Sequence, residues 1–362
     1  MKNVVMVVLI GATMALLLRY PSCAISAASE SLTLWWNTIL PSLLPFFILS
    51  GTIVKSGVLN QTPKKNDPIT KLLGLPTQCV GVMLLGAISG YPTGAKLSAE
   101  FSSSLSRKQL QALIIASNLS GPIFITGTIA TALLGVPALG GIMLLSHYLG
   151  VILISVILSI MNKTANSTKA TLIRTKAAPL RENISLPFLQ SFIQSATESL
   201  PAMLKVGAFM IFFPTVFALL REIGIINILC TLMNKLFFVE DSLTTAVLAG
   251  LFEMSDGCKF ISELSLSITL KTAICTFFVS FGGASVIMQT LAFAPIKFGE
   301  YVLPRLIGAF ASAAICYSWV SILTVDVFAY TIAPIKTPWI FSLTTFILGL
   351  FIVAWLLRKR IK

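Results

Sequence analysis

Two apolar stretches of this chain, far apart in sequence, are each broken in the middle by a glycine-rich turn with a lysine just beyond it. Gly86-Ala87-Ile88-Ser89-Gly90-Tyr91-Pro92-Thr93-Gly94-Ala95-Lys96 returns as Gly250-Leu251-Phe252-Glu253-Met254-Ser255-Asp256-Gly257-Cys258-Lys259. Upstream, Leu40-Pro41-Ser42-Leu43-Leu44-Pro45-Phe46-Phe47 returns as Leu200-Pro201-Ala202-Met203-Leu204-Lys205-Val206-Gly207, and downstream Asn118-Leu119-Ser120-Gly121-Pro122 has a looser echo in Phe281-Gly282-Gly283-Ala284. Interrupted hydrophobic segments at corresponding places in two halves point to the binding site of a transporter.

The solvent follows from composition. At 56% hydrophobic and 11% charged, with a mean hydropathy of +0.91, the chain has too few polar side chains to cover a soluble globule. An all-α polytopic membrane protein is expected. The net charge of +13 suits loops held against anionic lipid. It does not suit nucleic acid, because no basic stripe is interleaved with aromatics. Membrane lipid is therefore an expected partner and nucleic acid is not.

Cys23, Cys79, Cys230, Cys258, Cys275 and Cys316 stand apart, with no C-x-x-C pair, and His147 is the single histidine. No metal site and no cofactor are expected, and the thiols read as small apolar residues. Lys2 and the apolar run Val4 to Leu18 could be a secretory signal. An uncleaved first helix is preferred, since Arg19 follows directly and further spans come after it.

A crossing takes about 20 apolar residues. Candidates are 3–19, 32–54, 110–134, 138–160, 197–220, 267–294, 304–325 and 338–357. The stretches 76–105 and 242–265, each broken by its glycine-rich turn, suit re-entrant hairpins. Turning backbone at membrane depth is tolerated only where protein or a wet cavity surrounds it. With the N-terminus cytoplasmic and both hairpins re-entrant, inner loops receive most of the lysines and arginines, Lys297 and Arg305 among them, together with the tail Arg358-Lys359-Arg360. This partition obeys the positive-inside rule.

Three crossings per half, an odd number, force the two halves into opposite topology, an inverted repeat. The expected organisation is an N-terminal helix and outer loop (1–30), a first repeat (31–160), a basic cytoplasmic linker (161–190), a second repeat (191–325) and a C-terminal helix with a basic tail (326–362). The hairpin tips would then meet near the midplane.

In the first tip, Pro92, Thr93 and Gly94 suit the start of a helix, with Thr93 capping free N–H groups. Such an end attracts anions, and Lys96 adds a full charge. Ser89, Gly90 and Tyr91 offer close backbone approach and an aromatic face with a polar end. The competing reading is a packing turn whose lysine snorkels to the interface. In the second tip, Asp256 and Lys259 are spaced for an intrahelical ion pair, or else Glu253 or Asp256 takes up a coupling proton or cation. Asn118, Ser120 and Gly121 interrupt one span, and Gly282, Gly283, Ser285 and Gln289 interrupt its counterpart. Asn118 and Gln289 lean towards binding, because amides in lipid need partners, whereas Gly282 and Gly283 suit close helix packing. Glu198 is either a membrane-entry residue or a proton carrier.

Leu40 to Phe47, Ser89 to Lys96 and Ala116-Ser117-Asn118-Leu119-Ser120-Gly121-Pro122 together resemble the YlbJ-type sporulation integral membrane proteins. These belong to the wider group with nucleoside-recognition gate domains, similar to concentrative nucleoside transporters. Gly90-Tyr91-Pro92-Thr93-Gly94-Ala95-Lys96 is the most specific string, and the second repeat is the more generic turn. The resemblance implies export of dipicolinic acid from the mother cell across the outer forespore membrane, with both termini on the mother-cell side. Dipicolinate is a flat aromatic dianion, which suits a lysine, a helix N-terminus and a tyrosine.

A secondary transporter of a small organic anion is the leading expectation, and a homo-oligomer is among the assemblies it allows. Alternatives are a nucleoside transporter of the same fold, in which acidic and amide residues dominate, and a membrane scaffold for spore assembly. No P-loop and no nucleophile turn are present, so neither an ATP-driven pump nor an enzyme is expected.

Overall fold

A computed structural model of the protein describes residues 2–57, 68–166 and 186–327. The expected C-terminal helix at 338–357, the basic tail and most of the linker at 161–190 lie outside these residues. Among the described residues all regular structure is helical.

Five helical runs are long and apolar enough to cross a membrane: Pro21–Lys55, Leu139–Met161, Phe188–Glu222, Ile268–Phe293 and Phe298–Leu323. These correspond to five of the expected crossings. The stretch at 3–19 forms the shorter helix α1 (Lys2–Arg19). The stretch at 110–134 is divided, into α7 (Arg107–Ser117) and a π-helical segment (Phe124–Leu133).

The first long run joins α2 (Pro21–Leu34), a π turn (Trp35–Ile39) and α3 (Leu40–Lys55). Residues 21–30, read from sequence as partly outer loop, are therefore helical. The π turn has a local cause: Pro41 has no N–H to give to the preceding turn and its ring crowds the carbonyl there. The helix absorbs this by one wide turn, in which Leu40 N–H donates to Trp35 O.

Two short helix pairs follow the glycine-rich turns. α5 (Cys79–Ser89) turns at Gly90 into α6 (Thr93–Ala99), and α11 (Asp241–Phe252) turns at Glu253 into α12 (Met254–Glu263). The first pair packs on α7, and α12 packs on α13 (Ile268–Phe281). α7 begins with a capping box, Ser106 with Gln109, and ends at Ser117. α13 ends at Gly282, in the left-handed conformation that glycine adopts at helix C-termini, and α14 (Gly283–Phe293) follows.

The partnering is reciprocal. α3 packs on α9 (Phe188–Glu222), α8 (Leu139–Asn166) packs on α15 (Phe298–Val327), α6 meets α14, and α12 meets the π segment. The run that carries α13 and α14 is the most deeply buried of the five. One element was not foreseen: α10 (Ile225–Phe237) fills what reads as outer loop, with Ile228, Leu232 and Leu236 exposed. Its apolar positions lie on one face, the pattern of a helix that rests at an apolar boundary.

Candidate functional site

Glycine decides how near the helix pairs come to the broken helices. A Cβ on Gly86 would lie 2.0 Å from Ser117 O, and one on Gly94 2.1 Å from the same oxygen. The two helices of the first pair thus clamp the last carbonyl of α7. At the turn itself Gly90, with φ +82°, brings its backbone against Gly121, where a Cβ would lie 2.8 Å from Gly121 N. The second half repeats the arrangement. A Cβ on Gly257 would lie 2.2 Å from Gly250 Cα, and one on Gly283 2.9 Å from Gly250 O. Each pair is pressed by backbone contact against its own interrupted helix, the close approach that small residues permit.

Both turns and the first break open on one cavity of about 50 Å³, which α14 closes with Val286 and Gln289. Its polar wall comprises Ser42, Ser89, Gly90 and Tyr91 from the first half, Ser120 and Gly121 from the first break, Glu253 and Ser255 from the second turn, and Gln289 from α14. Apolar side chains, including Phe46, Phe124, Val206 and Met210, complete it. A cavity this small is far below the roughly 300 Å³ or more of a typical ligand site, so the space described does not hold a whole substrate without movement of its walls.

Behind the wall lies a polar web that ties the halves together. Ala95 N–H donates to Asn118 Oδ1 at 3.3 Å, and Asn118 Nδ2 donates to Thr290 Oγ1 at 2.8 Å and to the Tyr301 hydroxyl at 2.9 Å. His147, fully buried, accepts from Ser120 N–H at Nε2, 3.0 Å, and its Nδ1 lies 2.7 Å from Ser280 Oγ. With Nε2 accepting, the neutral ring carries its proton on Nδ1 and donates to the serine. The single histidine therefore bridges the first break to the end of α13.

Arg305 is also buried, at 1% exposure. Its Nη2 donates to the Tyr91 hydroxyl and to Ser280 O, and its guanidinium lies 5.4 Å from the centre of the Tyr91 ring. Nε and Nη1 have no hydrogen-bond partner. Sequence reading put Arg305 in an inner loop. The structure corrects this: α15 begins at Phe298, so Arg305 sits well inside a helix.

Other expected site residues lie away from the cavity wall. Thr93 does not cap its helix: its hydroxyl is buried without a partner, and Pro92 occupies the N-cap position. Lys96 lies half-buried with its ammonium 5.3 Å over the Phe47 ring. Gly94 and Asn118 are packed behind the wall. Ser285 accepts a hydrogen bond from Gln289 Nε2 at 3.2 Å. Glu198 pairs with Lys55 at 3.0 Å. Lys259 pairs with Glu30 of α2, not with Asp256.

Glu253 is 2% exposed and caps α12. Its Oε2 accepts from Ser255 N–H at 2.7 Å and Asp256 N–H at 3.1 Å, and its Oε1 accepts from the Ser255 hydroxyl at 3.3 Å.

Residues 36–137, which hold the first helix pair and the first break, match the family model described as nucleoside recognition, "Gate". The sporulation integral membrane protein YlbJ of Bacillus subtilis (strain 168) is 28% identical over 327 residues, covering 84% of this chain and 80% of that protein. No solved structure matches. An all-helical chain with membrane-length apolar helices is thus similar, along most of its length, to a sporulation integral membrane protein, and in residues 36–137 to the nucleoside-recognition Gate family.

Proposed function

We propose that the chain is a secondary transporter that moves a small organic anion through the central cavity. One observation carries this reading: the turns of both helix pairs share a single cavity with the break of the first interrupted helix and with Val286 and Gln289 of α14. Paired discontinuous helices around one site are how such transporters bind substrate within a membrane. The reciprocal packing of α3 on α9, α8 on α15, α6 on α14 and α12 on the π segment supports an inverted repeat with re-entrant hairpins at 76–105 and 242–265.

The cavity's one carboxylate supplies a coupling device. An anion and ionised Glu253 repel one another in a poorly solvated cavity, so uptake of a proton or cation at Glu253 favours occupancy by the substrate. Resemblance to the YlbJ-type proteins supports dipicolinate as that substrate and the outer forespore membrane as the setting. The test is uptake of labelled dipicolinate into vesicles holding only this protein, with and without imposed proton and sodium gradients. Failure to move it under any gradient rejects the reading in favour of a scaffold or a partner-dependent carrier.

Lys96 stands beside Phe47, whose neighbour Phe46 lines the cavity, and acts on the anion's approach. Lys96→Met keeps the apolar stem and removes the charge. Apparent affinity for dipicolinate should fall severalfold, as for the loss of a longer-range attraction beside the site and not of a direct contact. A normal apparent affinity in correctly inserted protein would make Lys96 a snorkelling residue. A second reading, nucleoside transport, is favoured by the match of residues 36–137 to the nucleoside-recognition model, with Glu253 and Gln289 as recognition groups. Competition of dipicolinate uptake by excess uridine separates the two.

A further inference from the structure

The charge in this fold that lacks a structural explanation is Arg305. It lies on a long apolar helix, is 1% exposed, and among the described residues no carboxylate lies within ion-pair distance of it. A buried guanidinium that served only to hold the fold would be surrounded by acceptors, because each unpaired donor costs free energy. Here only Nη2 is engaged, by the Tyr91 hydroxyl and Ser280 O, while Nε and Nη1 have no partner. Tyr91 also lines the cavity. It therefore stands between the cavity and a cation with unused donors, and it is held in place from behind: its hydroxyl donates to Val279 O at 3.1 Å.

We propose that Arg305 is the carboxylate-binding residue of the transport site, screened by Tyr91 in the conformation described and reached by the substrate when the first helix pair moves. This rests on the organic-anion reading above and assigns its binding cation. The ligand class is a carboxylate, which supplies the acceptors that Nε and Nη1 lack, while Tyr91 and Tyr301 flank the guanidinium with ring centres 5.4 and 5.9 Å from its carbon; the planar aromatic form of that carboxylate is what the family resemblance implies. A carboxylate on Nε and Nη1 leaves the Nη2 bonds to the Tyr91 hydroxyl and Ser280 O in place, so Tyr91 stays anchored to the end of α13 while the substrate is held.

The test uses the full-length protein purified in detergent, with melting followed as a function of dipicolinate, benzoate, pyridine and uridine concentration. Wild type should be stabilised by the two carboxylates and not by pyridine, which has the ring without the charge. Arg305→Gln should retain its fold, with a shifted melting temperature, and lose the dipicolinate-dependent stabilisation, an affinity loss of about a hundredfold. Arg305→Lys keeps the charge but offers a point contact in place of a planar fork. It should bind about tenfold more weakly, and it decides the matter if the glutamine variant does not fold. A clamp that merely pins Tyr91 would change the melting temperature of the empty protein and leave the dissociation constant alone, and that result in either folded variant overturns the proposal while leaving anion transport standing. Stabilisation of wild type by uridine and by neither carboxylate overturns both.

Discussion

Gly94→Ala and Gly257→Ala should each leave little folded protein, whereas Gly141→Ala should melt at or above the wild-type temperature. All three add one methyl group to a helical glycine. At Gly94 the new Cβ would lie 2.1 Å from Ser117 O, 2.3 Å from Ser117 C and 2.6 Å from Asn118 N. These are backbone atoms, so no side-chain rotation can make room. Relief requires α6 and α7 to separate. That pulls apart the bonds from Ala95 N–H to Asn118 and from the Ser117 hydroxyl to Gly94 O, and it lengthens the 2.9 Å pair between Ser98 and Ser117. At Gly257 the obstacle is Gly250 Cα at 2.2 Å. Overpacking ordinarily costs about 1–3 kcal/mol, and lost buried hydrogen bonds add about 1–3 kcal/mol each, enough to consume much of a marginal stability. At Gly141 nothing lies within 4 Å, so alanine gains only helix propensity, about 0.5–1 kcal/mol. Fluorescence-detected size-exclusion melting of the three variants checks this. Equal melting of Gly94→Ala and Gly141→Ala would mean that the first helix pair does not clamp α7 as described.

The same glycines show what a sequence can reveal of such a fold. Long apolar runs set the helices, and a glycine-rich turn inside one can only be a break, so the broken spans and the two turns were legible in Gly86 to Lys96 and Gly250 to Lys259. That Gly90 meets Gly121, and Gly283 meets Gly250, was not legible, because the two contacts fall at different places in the two turns. The residues behind the wall were not legible, because their partners are remote. Arg305 and Tyr91 are 214 positions apart, His147 and Ser280 133, and Lys259 and Glu30 229. The Asp256 to Lys259 spacing allowed a local ion pair, but Lys259 reaches across to α2 instead. The Tyr301 to Arg305 spacing, one helical turn within an apolar stretch, was the available signal for a buried arginine. Pro304 beside it read as the edge of a span, whereas α15 already runs through that proline.

Glu253→Gln should abolish accumulation of substrate against a gradient while leaving exchange of labelled for unlabelled substrate close to wild type. The glutamine keeps a carbonyl oxygen where Glu253 Oε2 accepts from Ser255 and Asp256 N–H, so α12 retains an N-cap. Loss of the cap altogether, as in Glu253→Ala, would cost about 0.5–2 kcal/mol. What the glutamine removes is charge. Two unit charges roughly 4 Å apart repel by about 4 kcal/mol at an effective dielectric of about 20, a larger effect than the cap. With an ionised Glu253 in its wall, the cavity disfavours an anion until a proton or cation neutralises that carboxylate, which ties movement of one to the other. Fixed in the neutral state, the cavity accepts the anion with no companion, so substrate equilibrates but no longer concentrates. Asp256→Asn should do less, because Asp256 does not line the cavity and contributes its backbone N–H to the cap. Vesicle accumulation under a proton or sodium gradient, measured beside counterflow exchange at the same protein density, separates the two activities. Parallel loss of both, with reduced protein in the vesicles, would make Glu253 a helix cap and nothing more.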